Sequence, residues 1–383
     1  MLTGNKGEWS EAYVFLRLLA EGRLNAADQN LIAIPNVYYP IIKIIRNEEN
    51  NPRSYLLNGK IDVVDNTSGI VLLSISIIDF IQKSNKLFTD LKAAKGKSIS
   101  FPVIETFLNS IDFNKLKAKN IDKSDIKIMI HDINTGMKPT LGFSIKSLVG
   151  KDPTLFNAGI GTNFIFKLTP PLGLVFNMSK FNTDTYTQSL QRRQPAKIAI
   201  RLQELIRLKF DITFTNVESE TLKLNLQLID SKLPEILSQI VYYKYKSKTS
   251  KMKDLLTQIN NQNPLGYDLV KGHPFYEVKI KNFLTESALG MTPETVWTSV
   301  YNVTGGLIIV KKTGDIVCYH IYNRNEFQEY LINRSRLDQP ATSEDASNPG
   351  NYDVVAEKKY RFGWVYQNNG EFYIKLNLQI RIK

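Results

Sequence analysis

Asp132 and Lys146 have the types and spacing of a hydrolytic centre. Asp132 ends an alternating run, Ile-Lys-Ile-Met-Ile-His-Asp at 126–132. Lys146 lies fourteen residues later in a second, Leu-Gly-Phe-Ser-Ile-Lys-Ser-Leu-Val at 141–149. The stretch between is rich in Asn, Thr, Gly and Pro, so two strands joined by a turn are predicted, with both side chains at one sheet edge. A carboxylate that holds a divalent cation, with an ammonium beside the attacking water, is equipment for hydrolysing a phosphodiester. An Asp followed by a Lys on the next strand also arises by chance in many sheets, so the pair alone defines nothing.

Strand phase sharpens the expectation. Ser144 and Lys146 share one face of their strand, opposite Phe143 and Ile145. Ile126, Ile128 and Ile130 share phase with Asp132, so simple alternation buries that carboxylate unless a strand end or bulge frees it. Further acid stands near the N-terminus. Residues 8–20 place Val14, Leu18 and Leu19 on one helical stripe with Gly22 as a stop, and Glu8 and Glu11 project on neighbouring parts of one face. Acids in a first turn also simply suit the helix dipole.

The elements that position these residues form an α/β (α+β) pattern. Ile61 to Asp65 reads as a strand, followed after Asn-Thr-Ser-Gly by a long apolar segment to Asp79. Residues 196–209 are helix-like and follow Arg192-Arg193, a basic neighbourhood that includes Arg201. Residues 242–253 interleave three tyrosines with five lysines, Lys244 and Lys246 among them. Such a segment neutralises phosphates while rings pack on sugars or bases, or is simply a solvated surface. Gly306 to Tyr322 is a hairpin turning at 312–315, followed by a helix near 326–333 and a polar loop over 338–357. Asn323, Arg324 and Asn325 stand at that helix's start, where Asn is a normal cap; Asn and Arg also read adenine and guanine edges. The chain closes on Phe372, Ile374, Leu376, Leu378, Ile380 and Ile382, a strict period of two. His320 reads as a core histidine, and Trp297 and Trp364 read as packing, with stacking on DNA as the alternative.

Composition sets the bounds. A chain of 383 residues, 43% hydrophobic and 22% charged, is long enough for a large core and too ordinary to be disordered. Its 49 Lys and Arg against 37 Asp and Glu give a net charge of +12, which favours a polyanionic partner or serves solubility alone. One cysteine, Cys318, forms no internal disulfide, and three histidines without cysteine partners offer no zinc spacing. A reducing cytoplasm is expected, with neither a signal peptide nor a membrane span.

Several segments in order resemble the motifs of HpaII-type restriction endonucleases: Thr-Gly-Asn-Lys-Gly-Glu-Trp-Ser-Glu at 3–11, Leu-Gly-Phe-Ser-Ile-Lys-Ser at 141–147, and Thr154 to Ala158 with Thr162 to Phe164. Gly290 to Thr298, Cys318 to Phe327 and Ile374 to Arg381 continue the match. The resemblance implies a PD-(D/E)xK nuclease core over 1–170, with DNA recognition and clamping over 171–383. It implies that Asp132 binds the metal and that Lys146 positions or activates water. Ser144 occupies the place of the usual acid, and a hydroxyl is a poor ligand, so Glu11, or else Glu8, is expected to replace it. The backbone carbonyl of Ile145 supplies a further oxygen. Arg192, Arg193, Lys244, Lys246, Asn323, Arg324 and Asn325 are the expected DNA contacts. Magnesium, double-stranded DNA cut at a short palindrome (CCGG is the family type), a cognate cytosine methyltransferase as genetic partner and a possible homodimer are implied as well. The stretch Ser343 to Lys359 departs from the family pattern. Two competing functions are a DNA-binding protein whose nuclease centre has decayed and a repair nickase that cuts one strand.

Overall fold

A computed structural model describes residues 1–48, 51–116, 124–133, 135–191, 197–247, 249–301, 303–339 and 362–383. Side chains at 48, 51, 186–191 and 197 are excepted. Arg192, Arg193 and the segment 343–359 lie outside the described residues.

The chain begins with α1 (Lys6–Glu21), β1 (Arg23–Ala27), β2 (Ala33–Glu48), β3 (Asn51–Leu57), β4 (Ile61–Asp65), β5 (Val71–Ile75), α2 (Ile77–Ala93) and α3 (Pro102–Ser110). Next come β6 (Ile126–Ile130), β7 (Thr140–Ser147), β8 (Thr154–Phe156), β9 (Asn163–Thr169), α4 (Met178–Gln191), α5 (Lys197–Arg207) and β10 (Asp211–Val217). Helices α6 (Glu220–Ile229), α7 (Leu233–Ser247), α8 (Met252–Gln262) and α9 (Phe275–Ala288) follow, then β11 (Gly306–Val310), β12 (Ile316–His320) and α10 (Arg324–Arg334). Strands β13 (Ser335–Leu337), β14 (Val365–Asn368), β15 (Glu371–Asn377) and β16 (Ile380–Ile382) close the chain. This is a mixed α/β protein. No described helix is long and apolar enough to cross a membrane.

The described residues form two compact units, and the division is not one cut near residue 170. The first takes Met1–Pro153, Ala288–Gly290 and Val300–Tyr330; the second takes Thr154–Ser287, Met291–Ser299 and Leu331–Lys383. The hairpin of β11 and β12 therefore returns to the N-terminal unit, where β11 lies parallel to β7 and pairs Leu307 with Ser144 and Ile309 with Lys146.

The first unit's sheet runs β1-β12-β11-β7-β6-β2-β3-β4-β5, and β1 also pairs with β2. Helix α1 packs on one face of it. Its start is fixed by Asn5, whose side chain accepts from the amides of Gly7 and Glu8 while Glu8 bonds back to the Asn5 amide. Its end is Gly22, left-handed at φ 68°. Between them Trp9, Ala12, Val14, Phe15, Leu16, Leu18 and Leu19 are fully buried, and they share a core with Ile126, Ile128, Ile130, Phe143 and Ile145. That apolar burial stabilises the sheet's middle by roughly 1.5–3 kcal/mol per large side chain.

In the second unit β10-β9-β15-β14 form one sheet and β13-β16-β8 another. The alternating C-terminal run is thus divided: β15 and β16 belong to different sheets, with buried Leu378 and Gln379 between them. Its period of two persists across the break, since Ile374, Leu376, Leu378, Ile380 and Ile382 are all fully buried.

Candidate active site

Strands β6 and β7 form an antiparallel hairpin in which Ile126 faces Phe143 and Met129 faces Thr140. Extending that register past the strand start sets Asp125 beside Ser144. One oxygen of Asp125, Oδ2, accepts the Ile145 amide at 2.6 Å and the Ser144 hydroxyl at 3.1 Å. The amide of Asp125 in turn donates to the Phe143 carbonyl at 2.9 Å. Its second carboxylate oxygen has no hydrogen bond among the described residues. Along β7, Phe143 and Ile145 are buried on the core face, Ser144 is 7% exposed and Lys146 is half-buried. Alternation had placed these four correctly. No hydrogen bond or ion pair among the described residues engages the Lys146 ammonium.

Asp132 is a correction. It lies beyond the opposite end of β6, where its amide donates to the Met137 carbonyl and its own carbonyl accepts from Gly136. From Thr140 to Lys146 is six strand steps, about 20 Å at roughly 3.3 Å each. The tight turn that was expected to join Asp132 and Lys146 instead separates them, because an antiparallel hairpin brings together residues equidistant from its turn. Asp132 is also 2% exposed, as its phase with Ile126, Ile128 and Ile130 required. Asp125 was legible in principle: it immediately precedes the strand, and the residue opposite Ser144 must come from that end.

The environment of Asp132 is that of a packed polar cluster. His320 is fully buried, its Nδ1 accepts from the Tyr322 amide at 3.1 Å, and its ring lies 4.8 Å from that of Tyr39. Burial pulls the His320 imidazole down to about 4, opposed by the charge of Asp132. Burial first, then the neighbouring Cys318 and Asp132, pushes the Tyr39 phenol up to about 12. His320 is the core residue expected, and it pins the turn that precedes α10.

Glu8 is committed to the helix start, where its Oε2 accepts the Asn5 amide at 2.8 Å. Glu11 is half-buried one turn further on, in the part of α1 that meets β7. Among the described residues no group of three or more His, Cys, Asp or Glu is arranged to hold a metal. Two oxygens near this pairing have no hydrogen-bond partner assigned among the described residues: the second Asp125 carboxylate oxygen and, on the same strand edge as its amide, the Ile145 carbonyl. In an extended strand a residue's N–H and C=O point to the same edge, and the Ile145 amide already points at Asp125.

The expected DNA contacts divide. Arg324 and Asn325 are exposed at the start of α10, with Asn323 half-buried before them. Lys246 is exposed in the last turn of α7, 5.4 Å from the ring centre of Tyr242. Lys244 is a correction: it is 8% exposed, donates to the Asp338 carbonyl at 2.5 Å, and burial lowers its ammonium to about 7. Two residues along a helix is a rotation of roughly 200°, so consecutive lysines of this segment face opposite ways. Arg201 is likewise buried, 3.6 Å over the ring of Trp364 and bonded to the Gly363 carbonyl. Trp364 and Trp297 are both buried, which is the packing role.

Asp125, oriented by Ser144 two residues before Lys146 on a central strand, gives this basic mixed α/β chain an acid and an ammonium of the types that phosphodiester hydrolysis uses. Comparison with known proteins names the family. The HpaII restriction endonuclease family matches residues 5–382, and the chain belongs to it; its members are type II site-specific deoxyribonucleases. A curated relative, the type II restriction enzyme HpaII of Haemophilus parainfluenzae, is 38% identical over 380 residues, covering 99% of this chain and 98% of that protein. No solved structure matches.

Proposed function

We propose that this chain makes magnesium-dependent double-strand cuts at a short palindrome, CCGG by family likeness, from a PD-(D/E)xK-type centre built on β6 and β7. The observation that carries the reading is the Asp125 carboxylate, held by Ser144 and Ile145 two residues from Lys146. Asp125 takes the role expected of Asp132. Its free oxygen, the Ile145 carbonyl and Glu11 from α1 are the protein oxygens for the metal, which when bound supplies charge neutralisation at the phosphate and a more acidic water. Lys146 orients the attacking water and stabilises the developing negative charge. Ser144 holds Asp125 rather than ligating.

Arg324, Asn323, Asn325 and Lys246 are the DNA contacts in this reading, with arginine facing guanine O6 and N7. A palindromic target suits a two-fold dimer, and a cytosine methyltransferase of the same specificity protects the host DNA in the cytoplasm. Ser144 in the acid position supports one other reading, a DNA-binding protein whose cutting centre has decayed.

The test is plasmid cleavage in magnesium by the wild type and by Asp125→Ala, Lys146→Ala and Asp132→Ala, with the ends mapped by sequencing. Discrete ends at one palindrome on both strands, lost with Asp125→Ala and Lys146→Ala, support the proposal. Tight DNA binding without cutting in magnesium or manganese moves the reading to the decayed form. Cutting of one strand only moves it to a nickase.

A further inference from the structure

Helix α1 and strand β7 share a hydrogen bond between Ser10 and Ser147, residues that directly adjoin the proposed centre. Ser10 is fully buried, and its Oγ lies 2.7 Å from the Lys6 carbonyl and 2.8 Å from Ser147 Oγ. Ser147 Oγ also accepts the Val149 amide at 3.3 Å. A hydroxyl has one proton, and the Lys6 carbonyl is an acceptor only, so the Ser10 proton goes to Lys6 and Ser147 donates to Ser10. The bonds then run in one direction, from the Val149 amide through Ser147 and Ser10 to the Lys6 carbonyl. The chain beyond Ser147 stays against the same helical turn, since a Cβ at Gly150 would stand 3.3 Å from Lys6 Cδ.

Ser10 precedes Glu11, and Ser147 follows Lys146. Apolar packing of α1 on the sheet fixes the helix's distance from it but tolerates sliding and rotation, because dispersion and burial are not directional. A hydrogen bond is directional, and this one sits beside both functional residues. We propose that Ser10 and Ser147 are a positioning pair that fixes the rotation and axial position of α1 against β7, and so sets Glu11 relative to Lys146. This rests on the reading of the centre given above.

Misplacing a reacting group by an ångström costs up to about 100-fold in rate while ground-state binding of a large substrate is little affected. Single-turnover cleavage, DNA affinity in calcium and thermal unfolding are therefore measured together for Ser10→Ala, Ser147→Ala, the double variant and Ser147→Thr. The expected result is a rate about tenfold lower in either alanine variant with DNA affinity unchanged, no further loss in the double variant, and recovery with Ser147→Thr, which keeps the hydroxyl. Rates within about twofold of wild type in both alanine variants overturn the proposal. So does a loss that Ser147→Thr does not recover, or one matched by weaker calcium-supported binding. Lys146→Ala is run alongside: wild-type cleavage by that variant overturns the reading of the centre itself, whereas an inactive Lys146→Ala with fully active serine variants overturns the positioning pair alone.

Discussion

Ser144 donates its hydroxyl to Asp125 across the β6–β7 hairpin at 3.1 Å, so in the proposed centre the residue in the acid position orients the acid that immediately precedes β6. In the proposed centre the Asp125 carboxylate is held on Oδ2 by two donors, and its other oxygen has no hydrogen bond among the described residues. Ser144→Ala removes one donor and leaves the Ile145 amide. The expected loss is about tenfold in cleavage rate, corresponding to about 1.4 kcal/mol, with DNA affinity in calcium unchanged. Ser144→Asp sets two carboxylates side by side: thermal unfolding in EDTA falls to lower temperature, and the magnesium concentration for half-maximal rate falls too. A magnesium titration of cleavage, with melting curves with and without metal, checks both.

Asp125 and Asp132 separate chemistry from folding. Asp125→Asn is expected to reduce cleavage by about 100-fold or more while the protein melts near the wild-type temperature. Asp132→Ala removes a buried carboxylate that caps the 132–137 turn. It is expected to destabilise by about 1–3 kcal/mol and to keep cleavage per folded molecule within a few-fold of wild type. Denaturant titration beside rates normalised to folded fraction distinguishes them.

Lys244 and Lys246 belong to one helix and are expected to behave oppositely. Lys246→Ala weakens DNA binding across all sequences and lowers the slope of log affinity against log salt by about 1. Lys244→Met leaves affinity and slope unchanged. It removes a buried ammonium at the cost of its bond to the Asp338 carbonyl, so stability changes by no more than about 1 kcal/mol in either direction. Affinity measured over a series of salt concentrations decides this.

His320 gives the fold a defined acid sensitivity. Its folded value of about 4 lies below the ordinary 6.5, so between those limits the unfolded chain binds more protons. Stability therefore falls as pH drops from 6.5 towards 4, by on the order of 3 kcal/mol from this group, and its contribution is constant above that window. His320→Asn keeps an acceptor for the Tyr322 amide and does not titrate there. Its stability should vary less than the wild type's over the same window in denaturant titrations at pH 7, 6, 5 and 4.5.

The sequence by itself determined what depends on neighbours along the chain. The alternation at 141–147 sent Phe143 and Ile145 into the core and kept Ser144 with Lys146, and the stop and buried stripe of α1 followed from Gly22 and the apolar spacing, whereas its start two residues earlier than expected, capped by Asn5, came from the structure. The β11–β12 hairpin and the buried face of the last strands were legible for the same reason. Tertiary structure alone decided what depends on partners far along the chain. Which aspartate meets Ser144 needed more than periodicity, because either end of the strand offers one; the antiparallel pairing of β6 with β7 selects Asp125, at the end remote from the turn. The parallel pairing of β7 with β11 joins segments about 160 residues apart, and the burial of Lys244 rests on Asp338, 94 residues away. Periodicity reports which side of an element is apolar; it carries no information on which distant segment will cover that side.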